Sequence, residues 1–137
     1  MAGKILVLED DRYILELVKD ILGYEGHDVI GLSYPDLILD VATREQPDAI
    51  VIDIMLPKVS GIEVADKLWL NGFASIPLIA MSASTVMADL ARQTPLFCTV
   101  MRKPFDMAEL LGAVDQALTP LATSTTPEYE LQHRPAV

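Results

Sequence analysis

The sequence lacks what would staple the chain covalently or hold it in a bilayer. Cys98 is the only cysteine among 137 residues, so no internal disulfide can form, and a small apolar core position is the expected role for this thiol. The apolar runs Ile5 to Leu8 and Ala49 to Ile52 fall far short of the roughly 20 residues that cross a membrane. The first residues lead straight into a strand pattern without signal-peptide architecture, which sets the expectation of a cytoplasmic protein with no membrane contact. Positive charge is also scarce. Ten Lys and Arg stand against 20 Asp and Glu, a formal net charge of −10. A sequence-independent grip on phosphate backbones needs clustered basic residues, so no direct nucleic-acid partner is expected.

What is present is a core. An apolar fraction of 51% in 137 residues fits one compact domain, expected over residues 1–118. The stretch that organises it is Ile50-Val51-Ile52-Asp53-Ile54-Met55-Leu56-Pro57-Lys58-Val59-Ser60-Gly61. With Ala49, its first half reads as a strand buried on both faces, and its second half is turn chemistry closed by Pro57 and Gly61. Asp53 therefore ends a buried strand, where a carboxylate is costly without a partner, a cation or a chemical purpose.

The rest of the chain alternates strand and helix. Lys4 to Leu8 is a strand ending in Glu9-Asp10-Asp11, and Asp11 caps a helix from Arg12 with Ile14, Val18, Ile21 and Leu22 at helical spacing and a stop at Gly26. His27 to Leu32 is the second strand. Pro35 opens a helix to about Glu45 with Leu37, Ile38 and Val41 inward. After Gly61, a helix carries Ile62, Val64, Ala65, Leu68 and Trp69 to Asn71-Gly72. Ile76 to Met81 is the fourth strand. Ser84 to Gln93 reads as a short helix with Val86, Met87 and Leu90 as its stripe, and Phe97 to Met101 as the fifth strand. Lys103-Pro104-Phe105 turns into a last helix capped by Asp106, with Leu110, Leu111, Val114 and Leu118 on one face. The Thr/Pro/Ser-rich residues 119–137 show no periodic apolar face and are expected to be a flexible tail.

Five strands alternating with five helices imply a doubly wound α/β fold, a parallel sheet covered on both faces. Ligands of such sheets gather at the carboxyl ends of the strands. Glu9, Asp10, Asp53, Ser82 and Lys103 all fall on that edge. Converging carboxylates repel one another, and a hard divalent cation relieves the repulsion. All-oxygen donors without nearby Cys or His favour Mg2+, with Mn2+ as the alternative. Lys103 adds an ammonium and Ser82 a hydroxyl, so Asp53 is equipped to attack phosphorus.

In order along the chain, Glu9-Asp10, Asp53 with Met55-Leu56-Pro57 and Gly61 behind it, Ser82-Ala83 and Lys103-Pro104-Phe105 resemble the signature of two-component response-regulator receiver domains. The likeness covers roughly residues 4 to 118 and suits a stand-alone, single-domain type. It implies a flavodoxin-like sheet of order 2-1-3-4-5. It implies that Asp53 is phosphorylated by a histidine kinase or histidine phosphotransfer protein. It further implies that Glu9, Asp10, Asp53 and the Met55 backbone carbonyl hold Mg2+, that Ser82, the Ala83 amide and Lys103 contact the phosphoryl group, and that the Lys103-Pro104 bond is cis.

The chain also departs from the family. Val100 stands where many receivers have an aromatic residue, and a stiff valine has no ring to exchange between solvent and interior. Val86, Met87, Leu90 and Met101 read first as core. The alternative is a partner or homodimer surface on the face of helix four, strand five and helix five. With no DNA-binding or catalytic segment after Thr119, the expected output is a contact with an unidentified downstream protein or onward phosphotransfer, unless the chain is part of a longer regulator. The expectation is a phosphoacceptor, not a turnover enzyme. Two other readings compete with it: a pseudo-receiver binding module, and a haloacid-dehalogenase-like phosphatase, which would want its nucleophile at Glu9 and an acidic pair after Lys103.

Overall fold

A computed structural model describes residues 2–119. Its elements are β1 (Lys4–Leu8), α1 (Arg12–Tyr24), β2 (Asp28–Leu32), α2 (Ile38–Glu45), β3 (Ala49–Asp53), α3 (Gly61–Leu68), β4 (Leu78–Ser82), α4 (Thr85–Arg92), β5 (Thr99–Arg102) and α5 (Met107–Leu118). A 3-10 turn, Pro35–Leu37, precedes α2, and a π-helical turn, Trp69–Phe73, follows α3. The five strands form one parallel sheet of order β2-β1-β3-β4-β5. The flexible tail expected over 119–137 lies, apart from Thr119, outside the described residues.

Side chains alternate across the sheet and build a core on each face. Ile5, Val7, Val51, Ile79 and Met81 pack with Val18, Leu22, Leu110 and Val114 of α1 and α5. Leu6, Leu8, Ile50, Ile52 and Leu78 pack with Ile38, Val41, Val64 and Leu68 of α2 and α3. Under α4 lies a smaller cluster of Ile54, Ala80 and Ala91, with Met87, Phe97 and Val100 against it. All five residues of β3 are buried, which explains its unbroken apolar run.

Local chemistry sets several boundaries. Asp11 accepts from the Tyr13 and Ile14 amides at 2.9 and 3.2 Å, and Gly26 leaves α1 at φ 91°, a conformation glycine adopts freely. Asp106 accepts from the Glu109 amide at 2.8 Å and starts α5. Other expectations are corrected. β2 begins at Asp28, because His27 is buried and its Nδ1 accepts from the Gly3 amide at 3.0 Å. β4 begins at Leu78, after Pro77, which has no N–H for a ladder. Phe97 lies before β5 and packs under α4.

Leu37 is 57% exposed, since it closes the 3-10 turn before α2 turns its buried face inward. On α4 the inward residues are Ala88 and Ala91, while Val86 and Leu90 are 68% and 44% exposed. Of the four residues read first as core on this face, Met101 is buried and Met87 partly so. Cys98 is exposed. It sits in the connection before β5, outside the core clusters.

Candidate functional site

Because all strands run the same way, their carboxyl ends share one edge, and the strand-end residues meet there. Glu9 follows β1, is 1% exposed, and its amide donates to the Leu32 carbonyl at 3.0 Å. Asp53 closes β3 at 4% exposure. Lys103 follows β5, its amide donating to the Ser82 carbonyl at 2.9 Å, and the Lys103-Pro104 bond after it is cis. The anchored loop aims the ammonium across the sheet edge. Lys103 Nζ donates to Glu9 Oε1 and Oε2 at 3.1 and 3.0 Å and lies 3.4 Å from Asp53 Oδ2.

Glu9, Asp10 and Asp53 each present a carboxylate oxygen, all within 4.8 Å of one another. One ammonium serves this group. Burial, followed by a hydrogen bond and charge repulsion from Asp53, pushes the Glu9 carboxyl up to about 8, with Lys103 pulling the other way. Between 4.5 and about 8, Glu9 therefore keeps a proton that an exposed glutamate would have lost. Three acids with too little positive charge among them, no imidazole or thiol in the set, and mixed burial suit a hard divalent cation.

The other expected participants are placed differently. Asp53 Oδ1 accepts from the Met55 amide at 3.2 Å, and Met55 itself is 52% exposed. The Ser82 hydroxyl, fully buried, is engaged by the backbone of Ser84: it accepts from the Ser84 amide at 3.1 Å and donates to the Ser84 carbonyl at 3.2 Å. Ala83 is exposed on the same loop. Asp11 points away as a helix cap. A hollow of about 420 Å³ opens beside the carboxylates, lined by Asp10, Met55, Lys58, Ser60, Glu63 and Met87 among others.

Two supporting residues had a weaker signal in the sequence. Gly61 lies against β3: a Cβ there would meet the Asp53 carbonyl oxygen and stand 2.8 Å from Ile54 Cα. Its amide donates to the Ile54 carbonyl at 2.7 Å. Glycine is thus required by close backbone approach as well as by the turn. Ser60 caps α3 by accepting from the Ile62 and Glu63 amides. The signal for both was present, a cap-type residue followed by glycine before a helical period, but it does not reveal which strand the glycine presses against.

Residues 5–115 match the model of the family described as the response regulator receiver domain. The alkaline phosphatase synthesis transcriptional regulatory protein PhoP of Bacillus subtilis is 35% identical over 119 residues, which are 86% of this chain and 49% of that protein. The response regulator MprA of Mycolicibacterium vanbaalenii is 30% identical over 129 residues, 93% of this chain and 54% of MprA. The chain spans about half the length of the curated relatives it matches. Among solved structures, response regulator TrrA of Thermotoga maritima, crystallised with Mg2+ and BeF, superposes with a TM-score of 0.75 at 27% identity. The superposition covers 84% of this chain and 98% of that one.

Proposed function

This chain belongs to the response regulator receiver domain family, and from that premise we propose that Asp53 is the residue that takes up the phosphoryl group. Phosphoacceptor function in two-component signalling is what the family performs and what this chain performs. The observation that carries the assignment to Asp53 is its position. It is a buried strand-end carboxylate inside a three-acid cluster, with Lys103 Nζ 3.4 Å from its Oδ2.

The donor is a phosphohistidine on a histidine kinase or histidine phosphotransfer protein. An Asp53 carboxylate oxygen attacks phosphorus, the nitrogen–phosphorus bond breaks, and the leaving imidazole takes a proton. Backbone donation from Met55 to Oδ1 fixes one oxygen and leaves Oδ2 toward Lys103. Glu9, Asp10, Asp53 and the Met55 carbonyl would hold Mg2+, or Mn2+, which when bound supplies positive charge to the phosphoryl oxygens. Lys103 supplies a second charge, and Ser82 with the Ala83 amide contacts the phosphoryl group once Ser82 leaves Ser84.

That departure gives the switch a route. Ser82 is tied to Ser84 by two hydrogen bonds, and Ser84 Oγ caps α4 by accepting from the Met87 amide at 3.2 Å. Drawing the Ser82 hydroxyl toward a phosphoryl group frees the Ser84 backbone and unsettles the α4 cap. The face of α4, β5 and α5 then meets a downstream protein or a second copy. The receiver unit comprises residues 1–118, and the module turns over no substrate beyond its own phosphorylation and dephosphorylation. No described helix is long and apolar enough to cross a membrane; a cytoplasmic location belongs to the same reading. A phosphatase of the haloacid-dehalogenase type and an unswitched pseudo-receiver are not favoured.

Incubation with a small acyl phosphate and Mg2+ tests the assignment. Intact mass should rise by one phosphoryl group, alkali should remove it, and Asp53→Asn should abolish it. Labelling that persists in Asp53→Asn would move the acceptor elsewhere.

A further inference from the structure

An ion and a phosphoryl group ask for charge and hydrogen bonds, yet the hollow beside the carboxylates is walled mostly by carbon. Ile54, Met55, Leu56, Pro57, Val59 and Met87 supply the apolar lining of its roughly 420 Å³. The hollow begins at the acids, since Asp10 belongs both to the three-carboxylate cluster and to its wall. Met55 joins the two as well: its amide holds Asp53 Oδ1 at 3.2 Å, and the residue lines the hollow. With Met55 exposed and Met87 half-buried, apolar surface stands in water directly beside the phosphoacceptor.

The position of Asp53 sets where a leaving group goes. Attacking and leaving atoms lie roughly in line across phosphorus. Asp53 closes a strand buried along its whole length, so its oxygen attacks from the sheet and the leaving group departs outward. One flank of that exit is closed and charged, because the Glu9 and Lys103 side chains are 1% and 14% exposed and bound to each other at 3.0 Å. The other flank is the hollow. Methionine side chains are unbranched and repack around an apolar guest. Asp10 and Glu63 on the same lining repel a second carboxylate, which restricts that guest to an uncharged chain.

We propose that this hollow seats the alkyl chain of a short-chain acyl phosphate, so that Asp53 takes a phosphoryl group from butyryl phosphate in preference to acetyl phosphate. The proposal rests on Asp53 as the acceptor and adds the substrate class that its surroundings select. An Asp53 carboxylate oxygen bonds to phosphorus, the bond from phosphorus to the acyl oxygen breaks, and the carboxylate leaves with the electron pair, needing no proton. Acetate and butyrate are leaving groups of nearly equal basicity, so the two donors differ chiefly by two methylenes. The chain of the longer donor extends along Met55 toward Met87 and Val59.

Labelling rates of the full chain with Mg2+ and subsaturating acetyl or butyryl phosphate, followed by intact mass, test the proposal. Butyryl phosphate should react faster by about fourfold to fifteenfold, the effect of two methylenes each half to fully withdrawn from water. Met87→Gln and Val59→Thr keep side-chain size while adding polar atoms to the lining. Each should cut the preference to below about threefold and leave the acetyl phosphate rate unchanged. Equal rates for the two donors in the unmutated chain, with Asp53 labelled by both, overturn the proposal and leave the acceptor assignment standing. A preference that survives both variants also overturns it. Labelling by neither donor overturns the acceptor assignment and this proposal with it.

Discussion

Glu9 makes the stability of this domain depend on pH in a direction opposite to most acids. Its carboxyl stands at about 8 in the folded chain against an ordinary value of 4.5, and an unfolded chain would show the ordinary value. Between those values the native state binds a proton that the unfolded state does not, so stability falls as pH rises through this window and levels off above about 8. At about 1.4 kcal/mol per pH unit, the full rise corresponds to at most roughly 5 kcal/mol. The observed loss should be smaller, because water entry and side-chain relaxation relieve a newly formed charge. Urea unfolding between pH 5 and 8.5 with a chelator present should show a midpoint that falls steadily. Saturating Mg2+ should flatten the curve by keeping Glu9 ionised in the native state, so that stabilisation by Mg2+ grows with pH. Glu9→Gln removes the titrating group, and its midpoint should be nearly constant over the window. A slope in Glu9→Gln equal to that of the unmutated chain would refute the argument.

Gly61→Ala forces β3 and the start of α3 apart, since the new Cβ overlaps the Asp53 carbonyl. A loss of about 1–3 kcal/mol in urea unfolding and slower acyl-phosphate labelling are expected together. Lys103→Met strips two buried acids of their cation, and labelling by a small acyl phosphate should slow by about a hundredfold while Mg2+ binding, measured by calorimetry, persists. Titration with beryllofluoride and Mg2+ should move amides of Ser82 to Met87 as well as those around Asp53. Movement confined to the carboxylates would remove the route through the α4 cap.

The sequence made the fold legible wherever a residue acts on its immediate neighbours. Asp11, Gly26 and Asp106 end or start helices through their own side chains or dihedrals, so the boundaries there follow from chemistry within a few residues. α4 was less legible, because its inward residues are alanines, which carry little hydrophobic signal. The larger Val86 and Leu90 draw the eye to the face that water covers. At the site, Glu9, Asp10, Asp53 and Lys103 could be grouped from strand ends alone, because a parallel sheet places every strand end on one edge. Which acid Lys103 would hold could not be read. The contact joins residues 94 apart, and the preference for Glu9 over Asp53 depends on fractions of an ångström set by the anchored loop after β5. The Ser82 hydroxyl posed the same problem, as nothing in the sequence favours Ser84 over the carboxylates as its partner.

Val100 bears on how tightly α4 must be held. It is half-buried beneath α4 with Met87 and Phe97, so aromatic volume in this cluster comes from Phe97 in the preceding connection and not from β5 itself. The helix above rests on Ala88 and Ala91, whose methyl groups bury little area, about 1 kcal/mol or less each by transfer. Against that modest hold stand the Ser84 cap, about 1 kcal/mol, and the two Ser82–Ser84 hydrogen bonds, about 0.5–1.5 kcal/mol each. Their loss together is worth roughly 2–4 kcal/mol, enough to change the ratio of two α4 arrangements by a factor of about 30 to 1,000. An aromatic rotor is therefore unnecessary on energetic grounds. A lightly packed helix whose cap is linked through one serine to the phosphoryl site can carry the signal.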